Sequence, residues 1–450
     1  TPAMTLLHLG PGLANGLANL HNARRAHSPV VNVIGDHATW HLAADAPLTS
    51  DIVSLARPMS GWVRATTSPA ALAADMSDAI EAALAPPGQV ATLIVPADCQ
   101  WEHGGAAQPR TPATRTPVAS DTIAKAATLL RGSRSVALLL GGSGLGLRGL
   151  TAAARIAAAT GCTLFSETFP ARLERGAGIP APLRLPYFPE QALAALTGTT
   201  TLLLAGAPLP VAMFGYPGVP SRLVPEGCAV TTIARVDEDV SAALEHLADA
   251  LDAPTHPPMP NATKSLALPT GALTPASVGA VLAALQPEGA IIVDESATSG
   301  GPYGDLASAA RPHTVLGLTG GAIGHGFPTA TGAAIACPDR RVIALQADGS
   351  GLYTVQALWT QAREGLNVTT LVCANRLYRI LQMEAARAGA DTKAGNTRAL
   401  TELAPPAIEW TALARGFGVP GTQVTTAEAL ATELRRALAT PGPQLIEMVL

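Results

Sequence analysis

Short runs of branched apolar residues alternate along the chain with longer segments of helical periodicity. Gly, Pro or polar residues bound each run, which is typical of strands buried on both faces of a parallel sheet. We therefore predict an α/β fold of open, mostly parallel sheets, in which ligands bind beyond the carboxyl ends of the strands. The predicted strands lie at 5–9, 30–34, 91–95, 136–140, 160–165, 200–204, 228–233, 290–293, 342–345 and 368–373.

Two proline-rich stretches, at 104–117 and 253–275, interrupt this alternation. Proline fixes the backbone and removes an amide donor, so such stretches usually connect domains. They predict three consecutive domains, at 1–105, 118–252 and 273–450.

The composition narrows the class of protein. Of the 450 residues, 48% are hydrophobic and 14% are charged, which excludes a disordered chain. A net charge of −4 offers no electrostatic surface for nucleic acid, and no apolar run reaches the roughly 18 residues of a bilayer-spanning helix. The five cysteines are scattered without a Cys-x-x-Cys pair, which favours a reducing, cytoplasmic location. We expect no nucleic-acid or membrane partner.

The strongest local motif surrounds the predicted strand at 342–345, which continues to Asp348. A helix is predicted at 352–364, and the strand at 368–373 then ends at Asn375. Since such a βαβ unit places the ends of its parallel strands at one edge of the sheet, we expect Asp348 and Asn375 to lie close together.

A carboxylate and an amide at that edge suit a magnesium ion. Mg²⁺ prefers about six oxygen ligands, and Asp348, the Asn375 amide oxygen and a nearby backbone carbonyl would supply half of them. A diphosphate and a water would supply the rest, and the helix N-terminus at 349–351 would add amide donors for the phosphates. On the Asp-Gly-Ser triplet alone, a helix-capping Asp and a turn Asn are the favoured interpretation.

The spacing between the Asp-Gly-Ser triplet and Asn375 favours the metal site over capping and turn roles. Asp-Gly-Ser, one helix, one strand and Asn, in this order, resemble the Mg²⁺ and thiamin diphosphate motif of the thiamin-diphosphate-dependent 2-oxo-acid enzymes. That family usually carries Gly-Asp-Gly and Asn-Asn, and here Ala347 and Ala374 replace the outer residue of each pair. The resemblance implies that Asp348, Asn375 and the carbonyl of Leu377 hold the metal. It also implies that the three segments are pyrimidine, middle and diphosphate domains.

Further stretches of the third segment resemble the same family. Val-Asp-Glu-Ser-Ala-Thr-Ser, ending at 299, resembles the loop that holds the diphosphate, which implies contacts from Ala297 and Thr298. Gly-Gly-Ala-Ile-Gly-His-Gly-Phe-Pro, ending at 328, resembles the loop under the thiazolium ring. There the carbonyl near Gly321 would meet the aminopyrimidine, and Ile323 would wedge the cofactor into its bent shape. The implied cofactor-binding set also includes Gly349, Ser350, Tyr378 and Ile380.

The first segment carries a histidine next to its first predicted strand. His8 and the following residues resemble the pyrimidine-domain loop of benzoylformate decarboxylase, which implies that His8 transfers a proton to or from the bound intermediate. Without the resemblance, a structural histidine is the ordinary interpretation. His37 follows the next strand and is a candidate for substrate contact. His37 and His41 have helical spacing, but no glutamate of zinc-protease type follows, so we expect no metal there.

The middle segment contains a Gly-x-Gly-x-x-Gly motif at 144–149, with Glu167 near the next strand end. This pattern leaves a dinucleotide-binding oxidoreductase open as an alternative. The resemblance instead implies a middle domain that is often empty. Acetolactate synthases bind FAD there, but their Arg-Phe-Asp-Asp-Arg stretch is missing from the matching place. We therefore expect neither FAD nor a working NAD site.

Two departures from the family pattern matter. The family activates thiamin with a glutamate upstream of the strand that carries His8, whereas the earliest glutamate here is Glu81, inside a helical pattern at 70–84. Either the natural chain has about 60 further N-terminal residues, which the start at Thr1 favours, or the protein binds thiamin without the usual activation. Glu384 stands where family signatures of substrate choice are missing, and a solvated helix face is its favoured interpretation.

The resemblance implies a thiamin-diphosphate- and Mg²⁺-dependent decarboxylation of a small 2-oxo acid through a C2-carbanion/enamine intermediate, as in benzoylformate decarboxylase. An acetolactate-synthase-like carboligation of two 2-oxo acids stays open, as does a catalytically silent thiamin-diphosphate-binding paralogue. The resemblance also implies a homodimer or homotetramer with active sites at the subunit interface.

Overall fold

The computed structural model describes residues 1–107, 109–111, 113–133, 135–258 and 266–450. This part of the chain forms two compact units. The first unit comprises Thr1–Ala119, Ala234–Val240 and Thr319–Ala322, and the second comprises Ser120–Ile233, Ser241–Leu318 and Ile323–Leu450. The division into three domains stays a prediction, and positions 108, 112 and 259–265 of the two predicted linkers lie outside the described residues.

A four-stranded parallel sheet forms the centre of the first unit, in the order β1-β2-β4-β3. Its middle strands are mostly apolar, as expected where helices cover both faces of a sheet, and their buried polar residues Asn32 and Thr92 bond to each other. Val30 and Ile34 face a cluster with the first two helices, whereas Val31 and Val33 face the third. The strands are β1 (Ala3–His8), β2 (Val30–Asp36), β3 (Trp62–Ala65) and β4 (Val90–Pro96), and the helices are α1 (Leu9–Arg25), α2 (Ile52–Ala56), α3 (Pro69–Leu84) and α4 (Asp98–Trp101).

The second unit begins with a five-stranded sheet in the order β10-β9-β5-β6-β8. Its core is aliphatic and is built around Leu139, Leu202 and Leu204. The strands of this region are β5 (Val136–Leu140), β6 (Thr163–Ser166), β7 (Arg172–Arg175), β8 (Leu183–Arg184), β9 (Thr201–Ala205) and β10 (Ala229–Ala234). Its helices are α5 (Ser120–Gly132), α6 (Leu147–Thr160), α7 (Pro189–Ala195) and α8 (Val240–Ala250).

A seven-stranded sheet completes the second unit, in the order β15-β16-β14-β13-β11-β12-β7. Strand β7 comes from the predicted middle segment and pairs antiparallel with β12, so that segment contributes a strand to the neighbouring sheet. The other strands are β11 (Ile291–Glu295), β12 (His313–Gly317), β13 (Val342–Ala347), β14 (Val368–Ala374), β15 (Gly421–Val424) and β16 (Gln444–Val449). The helices are α9 (Pro275–Leu285), α10 (Gly301–Leu306), α11 (Gly326–Ala336), α12 (Asp348–Gly351), α13 (Ala357–Arg363), α14 (Arg379–Arg387), α15 (Gly395–Thr401), α16 (Trp410–Gly416) and α17 (Ala427–Ala439).

Strands β11, β13 and β14 are parallel neighbours in this sheet. Their register pairs Glu295 with Gln346, and Ala347 with Cys373. Their carboxyl ends therefore meet at one edge. The α/β class and the mostly parallel sheets agree with the prediction.

The predicted helix at 352–364 is wrong at its N-terminal end. The structure has the short helix α12, then turns, and only then α13. The amides of Tyr353 and Thr354 bond to the carbonyls of Ser350 and Gly351, three residues back, which tightens the chain into turns. The strand predicted at 160–165 also begins too early, because Thr160 still belongs to α6.

The glycine motif at 144–149 forms the connection from β5 to α6. A Cβ atom at Gly149 would lie 2.6 Å from the backbone of Gly144, so the glycine is needed for the close approach of two backbone segments. This role does not depend on a nucleotide. Within the described ranges, no helix combines the length and apolar character needed to cross a membrane.

Candidate active site

Asp348 lies at the carboxyl end of β13 and is 2% exposed. Its Oδ1 accepts the N–H of Gly349 at 2.8 Å, and its Oδ2 accepts the N–H of Arg376 at 2.6 Å. Burial raises the pKa of the Asp348 carboxyl, and the two backbone hydrogen bonds oppose that rise. Arg376 directly follows Asn375, so the predicted βαβ unit brings the two candidate metal ligands to one sheet edge.

The turn after β14 is held by the asparagine side chain. Asn375 Oδ1 accepts the N–H of Leu377 at 3.0 Å, which is the ordinary turn role that the sequence leaves open. An amide oxygen has two lone pairs, so this bond does not exhaust its acceptor capacity. The turn passes through Arg376, whose φ of 56° lies in the left-handed region.

Left-handed backbone at non-glycine residues recurs beside the strand ends. Besides Arg376, Ala297 has a φ of 50° after β11, and in the first unit Leu9 has a φ of 56° directly after His8. Such conformations cost energy and persist where the surrounding structure enforces them, often at functional sites.

The candidate diphosphate turn follows Glu295. Ala297–Ser299 forms a single 3₁₀ turn, in which Ala297 is exposed and Thr298 is half-buried. Asp294 holds its beginning, since its Oδ1 accepts the Ser296 N–H at 3.0 Å and the Ser296 hydroxyl at 2.5 Å.

Gly349 and Tyr378 are packed against each other. A Cβ atom at Gly349 would lie 2.4 Å from Tyr378 Cε1, and the Tyr378 hydroxyl donates to the Gly349 carbonyl at 3.2 Å. The Ser350 hydroxyl points inward, because it accepts a hydrogen bond from Gln346 Nε2 at 2.7 Å and donates to the Ala347 carbonyl at 3.2 Å. Any contact of Ser350 with a phosphate would therefore come from its backbone.

The structure places Ile323 and Ile380 in the second unit, each half-buried. Gly321 belongs to the first unit, in the segment Thr319–Ala322. That segment is held by Asn22, which donates to the Ala322 carbonyl at 2.8 Å and accepts the Ala322 N–H at 3.2 Å.

Both candidate histidines lie in the first unit, where His8 is the last residue of β1 and His37 directly follows β2. His8 is exposed and occupies the N-cap position of α1, where its side chain makes no capping hydrogen bond. The backbone N–H of His37 donates to Asp36 Oδ1 at 2.7 Å, while its buried Nε2 has no hydrogen-bond partner among the described residues. The rings of His37 and His41 pack edge to face, with centroids 5.4 Å apart.

Glu384 corrects a prediction. Instead of lying on a solvated helix face, it is half-buried in α14 and accepts hydrogen bonds from Tyr187 at 3.0 Å and from Tyr216 at 2.9 and 3.1 Å. Burial and the bond to Glu384 raise the pKa of Tyr187. We call Glu384, Tyr187 and Tyr216 the Glu384 cluster.

Arg387, one helical turn later, adds a second layer. Its guanidinium lies 4.3 Å from the ring centroid of Tyr216 and 5.0 Å from that of Phe188, and it pairs with Glu190 at 2.7 Å. These residues lie far apart in the sequence, which is why sequence patterns did not reveal the cluster.

Across the described part of the chain, no group of three or more His, Cys, Asp or Glu side chains could hold a metal ion. The Asp348 set is of another kind, since it combines one carboxylate, one amide and one backbone carbonyl.

Changing Glu384 to Gln should lower the free energy of unfolding by about 1 kcal/mol, because an amide N–H₂ replaces one of the two oxygens that face tyrosine hydroxyls. Tyr216→Phe should cost a similar amount, and the double variant should cost less than the sum. Urea denaturation gives the free energy of unfolding for wild type, both single variants and the double variant. Glu402→Gln, which alters an exposed ion pair, is the control. Additive single effects would contradict a direct interaction.

Burial lowers the pKa of His325 to about 4, so the folded protein keeps its imidazole neutral. An unfolded chain binds the proton near pH 6.5, so the stabilisation is complete above that pH and is lost as the pH falls towards 4. Urea denaturation at pH 7 and at pH 4.5 measures how far the free energy of unfolding falls between the two pH values. We expect this fall to be smaller by on the order of 2 kcal/mol in His325→Asn than in wild type. His256→Asn, at an exposed position, should leave it unchanged. Equal acid sensitivity in wild type and His325→Asn would contradict the assignment.

Comparisons with known proteins show which family the chain belongs to. Residues 1–55 match the family described as "Thiamine pyrophosphate enzyme, N-terminal TPP binding domain", and residues 303–448 match its "C-terminal TPP binding domain". IlvX of Mycobacterium tuberculosis, named as a candidate acetolactate synthase large subunit, is 49% identical over 100% of this chain and 86% of its own length.

Two decarboxylases are similar along nearly the whole chain. Benzoylformate decarboxylase of Pseudomonas aeruginosa is 29% identical over 99% of this chain and 87% of its own length. The solved thiamine diphosphate-dependent 4-hydroxybenzoylformate decarboxylase of Rhodococcus jostii RHA1 superposes with a TM-score of 0.83 at 26% identity, covering 99% of this chain and 87% of that one. The chain therefore belongs to the family of thiamin-diphosphate-dependent enzymes that includes the decarboxylases and the acetolactate synthases.

Proposed function

We propose that this protein uses thiamin diphosphate and Mg²⁺ to decarboxylate a small 2-oxo acid. The observation that carries the proposal is the hydrogen bond from the N–H of Arg376 to Asp348. This bond joins the ends of β13 and β14, where the candidate metal ligands Asp348 and Asn375 lie. The two decarboxylases that match along 99% of this chain support the reaction type.

The donors at the sheet edge fit a magnesium ion. Asp348 and Asn375 supply a carboxylate and an amide oxygen. The family resemblance makes the carbonyl of Leu377 the candidate third ligand. Mg²⁺ prefers such oxygen ligands and commonly shares its remaining positions between phosphates and water. Soft thiolate ligands or a histidine cluster would instead have favoured a transition metal.

Backbone amides would hold the diphosphate. The turn at Ala297 and Thr298 follows β11, and Gly349 and Ser350 follow β13, so both stretches lie at the same sheet edge. Bound thiamin diphosphate supplies the carbanion and the electron sink needed for loss of CO₂. The protein must supply orientation, exclusion of water and proton transfer. We propose the exposed His8 for proton transfer and His37 as a substrate contact. The residues proposed to contact the cofactor are Ile323, Gly321, Tyr378 and Ile380.

Carboligation of two 2-oxo acids, as in acetolactate synthase, is the second candidate, because the relative with 49% identity carries that name. The two reactions share the loss of CO₂ and differ in the final product. Assembly as a homodimer or homotetramer and a cytoplasmic location are further parts of the proposal.

The direct test incubates the purified chain with benzoylformate or pyruvate, with and without thiamin diphosphate and Mg²⁺. We expect CO₂ release that requires both additions, with an aldehyde as the product. Acetolactate from pyruvate would favour the synthase reaction instead. Cofactor binding without CO₂ release from either acid would contradict the proposal and favour a silent binder.

Gly349→Ala should weaken the binding of thiamin diphosphate, because the new methyl group would displace the Tyr378 ring from the sheet edge. We expect at least a tenfold higher dissociation constant by calorimetry, roughly 1.4 kcal/mol. Gly332→Ala on α11 is the matched control, since a Cβ atom there meets no atom within 4 Å. Equal affinities of the two variants would contradict the assignment of Gly349.

A further inference from the structure

Glu295, the last residue of β11, is a buried carboxylate that receives three hydrogen bonds. It is 4% exposed. Its Oε1 accepts the backbone N–H of Gly324 at 2.7 Å, and its Oε2 accepts the N–H of Gly326 at 2.6 Å. The side-chain amide of Gln346 donates to the same Oε2 at 3.0 Å. All three donors are neutral N–H groups.

The three donors come from segments that the proposed function assigns to the cofactor. Gly324 directly follows Ile323, the candidate wedge, and Gly326 begins α11. Gln346 also donates to the Ser350 hydroxyl at 2.7 Å, which extends the network to the candidate phosphate turn. The chain immediately after Glu295 forms the other candidate phosphate turn. One carboxylate therefore connects all of these segments.

Close packing adds to the hydrogen bonds. A Cβ atom at Gly326 would lie 2.0 Å from Gln346 Oε1 and 3.0 Å from Glu295 Oε2. A side chain at position 326 would therefore clash with the Gln346 amide and crowd the Glu295 carboxylate. The position of the 324–326 loop is therefore fixed by two things, which are the close contact of Gly326 with Gln346 and the hydrogen bonds of Gly324 and Gly326 to Glu295.

A carboxylate suits this place better than an amide. Each of its oxygens accepts, so it can serve the two loop N–H groups and Gln346 together, and the charge strengthens each bond. A glutamine side chain of the same shape would turn an N–H₂ group towards at least one of these donors. That backbone N–H would lose its partner in a buried place.

We propose that Glu295 is a positioning residue for thiamin diphosphate. Glu295 holds Ile323 and the 324–326 loop at a fixed place relative to the two candidate phosphate turns, at 297–299 and 349–350. The inference rests on the proposed function, since it assumes that the cofactor occupies this sheet edge. A preorganised loop removes an ordering cost from binding, so loosening the loop should weaken affinity for the cofactor beyond any loss of stability.

The test measures the dissociation constant of thiamin diphosphate at saturating Mg²⁺ by calorimetry, and the thermal midpoint without cofactor. The variants are Glu295→Gln, which mismatches the hydrogen bonds, and Gly326→Ala, which displaces the loop by contact. Glu447→Gln is the control for a buried glutamate of the same sheet, because Glu447 is 1% exposed and lies on β16. Gly332→Ala is the control for a glycine of α11.

We expect both test variants to weaken binding about tenfold or more, and both controls to stay within about twofold of wild type. If Glu295→Gln does not fold, Gly326→Ala against Gly332→Ala decides the question. Unchanged affinity in the test variants, or an equal loss in Glu447→Gln, would overturn the proposal. A wild-type chain that binds no thiamin diphosphate would overturn the proposed function itself, which is a distinguishable result.

Discussion

The candidate site depends on a carboxylate that is buried at the end of a parallel strand and held by the backbone of the next strand. Asp348 accepts the N–H of Arg376, and this bond can form only because β13 and β14 are neighbours in register. Directly after this N–H, the backbone of Arg376 adopts a left-handed conformation with a φ of 56°. Desolvation makes an isolated carboxylate costly there, so the local fold is organised around satisfying it.

Much of this arrangement could be predicted from sequence, because its determinants are local. The apolar run at 136–140 predicts β5 at its observed bounds. Asp348 and Asn375 are found from the order Asp-Gly-Ser, one helix, one strand and Asn. The helix predicted at 352–364 begins too early, because i→i+3 bonds after α12 form turns before α13, and periodicity does not reveal such bonds.

The contacts that sequence analysis missed join residues that are distant along the chain. Glu295 lies next to the candidate loop in space but about 30 positions earlier, and no periodic pattern marks a carboxylate that serves backbone amides. Glu384 was assigned to solvent because a charged helical residue usually lies there. Its two tyrosine partners stand 197 and 168 positions away. Such pairings follow from tertiary packing alone.

Family membership identifies the cofactor class and leaves the substrate to other residues. The groups proposed to hold the diphosphate and Mg²⁺ lie at the ends of β11, β13 and β14, whereas the Glu384 cluster lies on α14 and in the 187–216 region. The two sets of residues therefore lie on different elements of the structure.

In the proposed function, Asp348 anchors thiamin diphosphate through Mg²⁺. Calorimetric titration of thiamin diphosphate, with Mg²⁺ and with EDTA, tests it most directly on wild type, on Asp348→Asn and on Asp252→Asn, whose side chain is 95% exposed. We expect saturable, Mg²⁺-dependent binding that Asp348→Asn abolishes and Asp252→Asn preserves. Binding that ignores Mg²⁺, or that survives in Asp348→Asn with unchanged affinity, would contradict it.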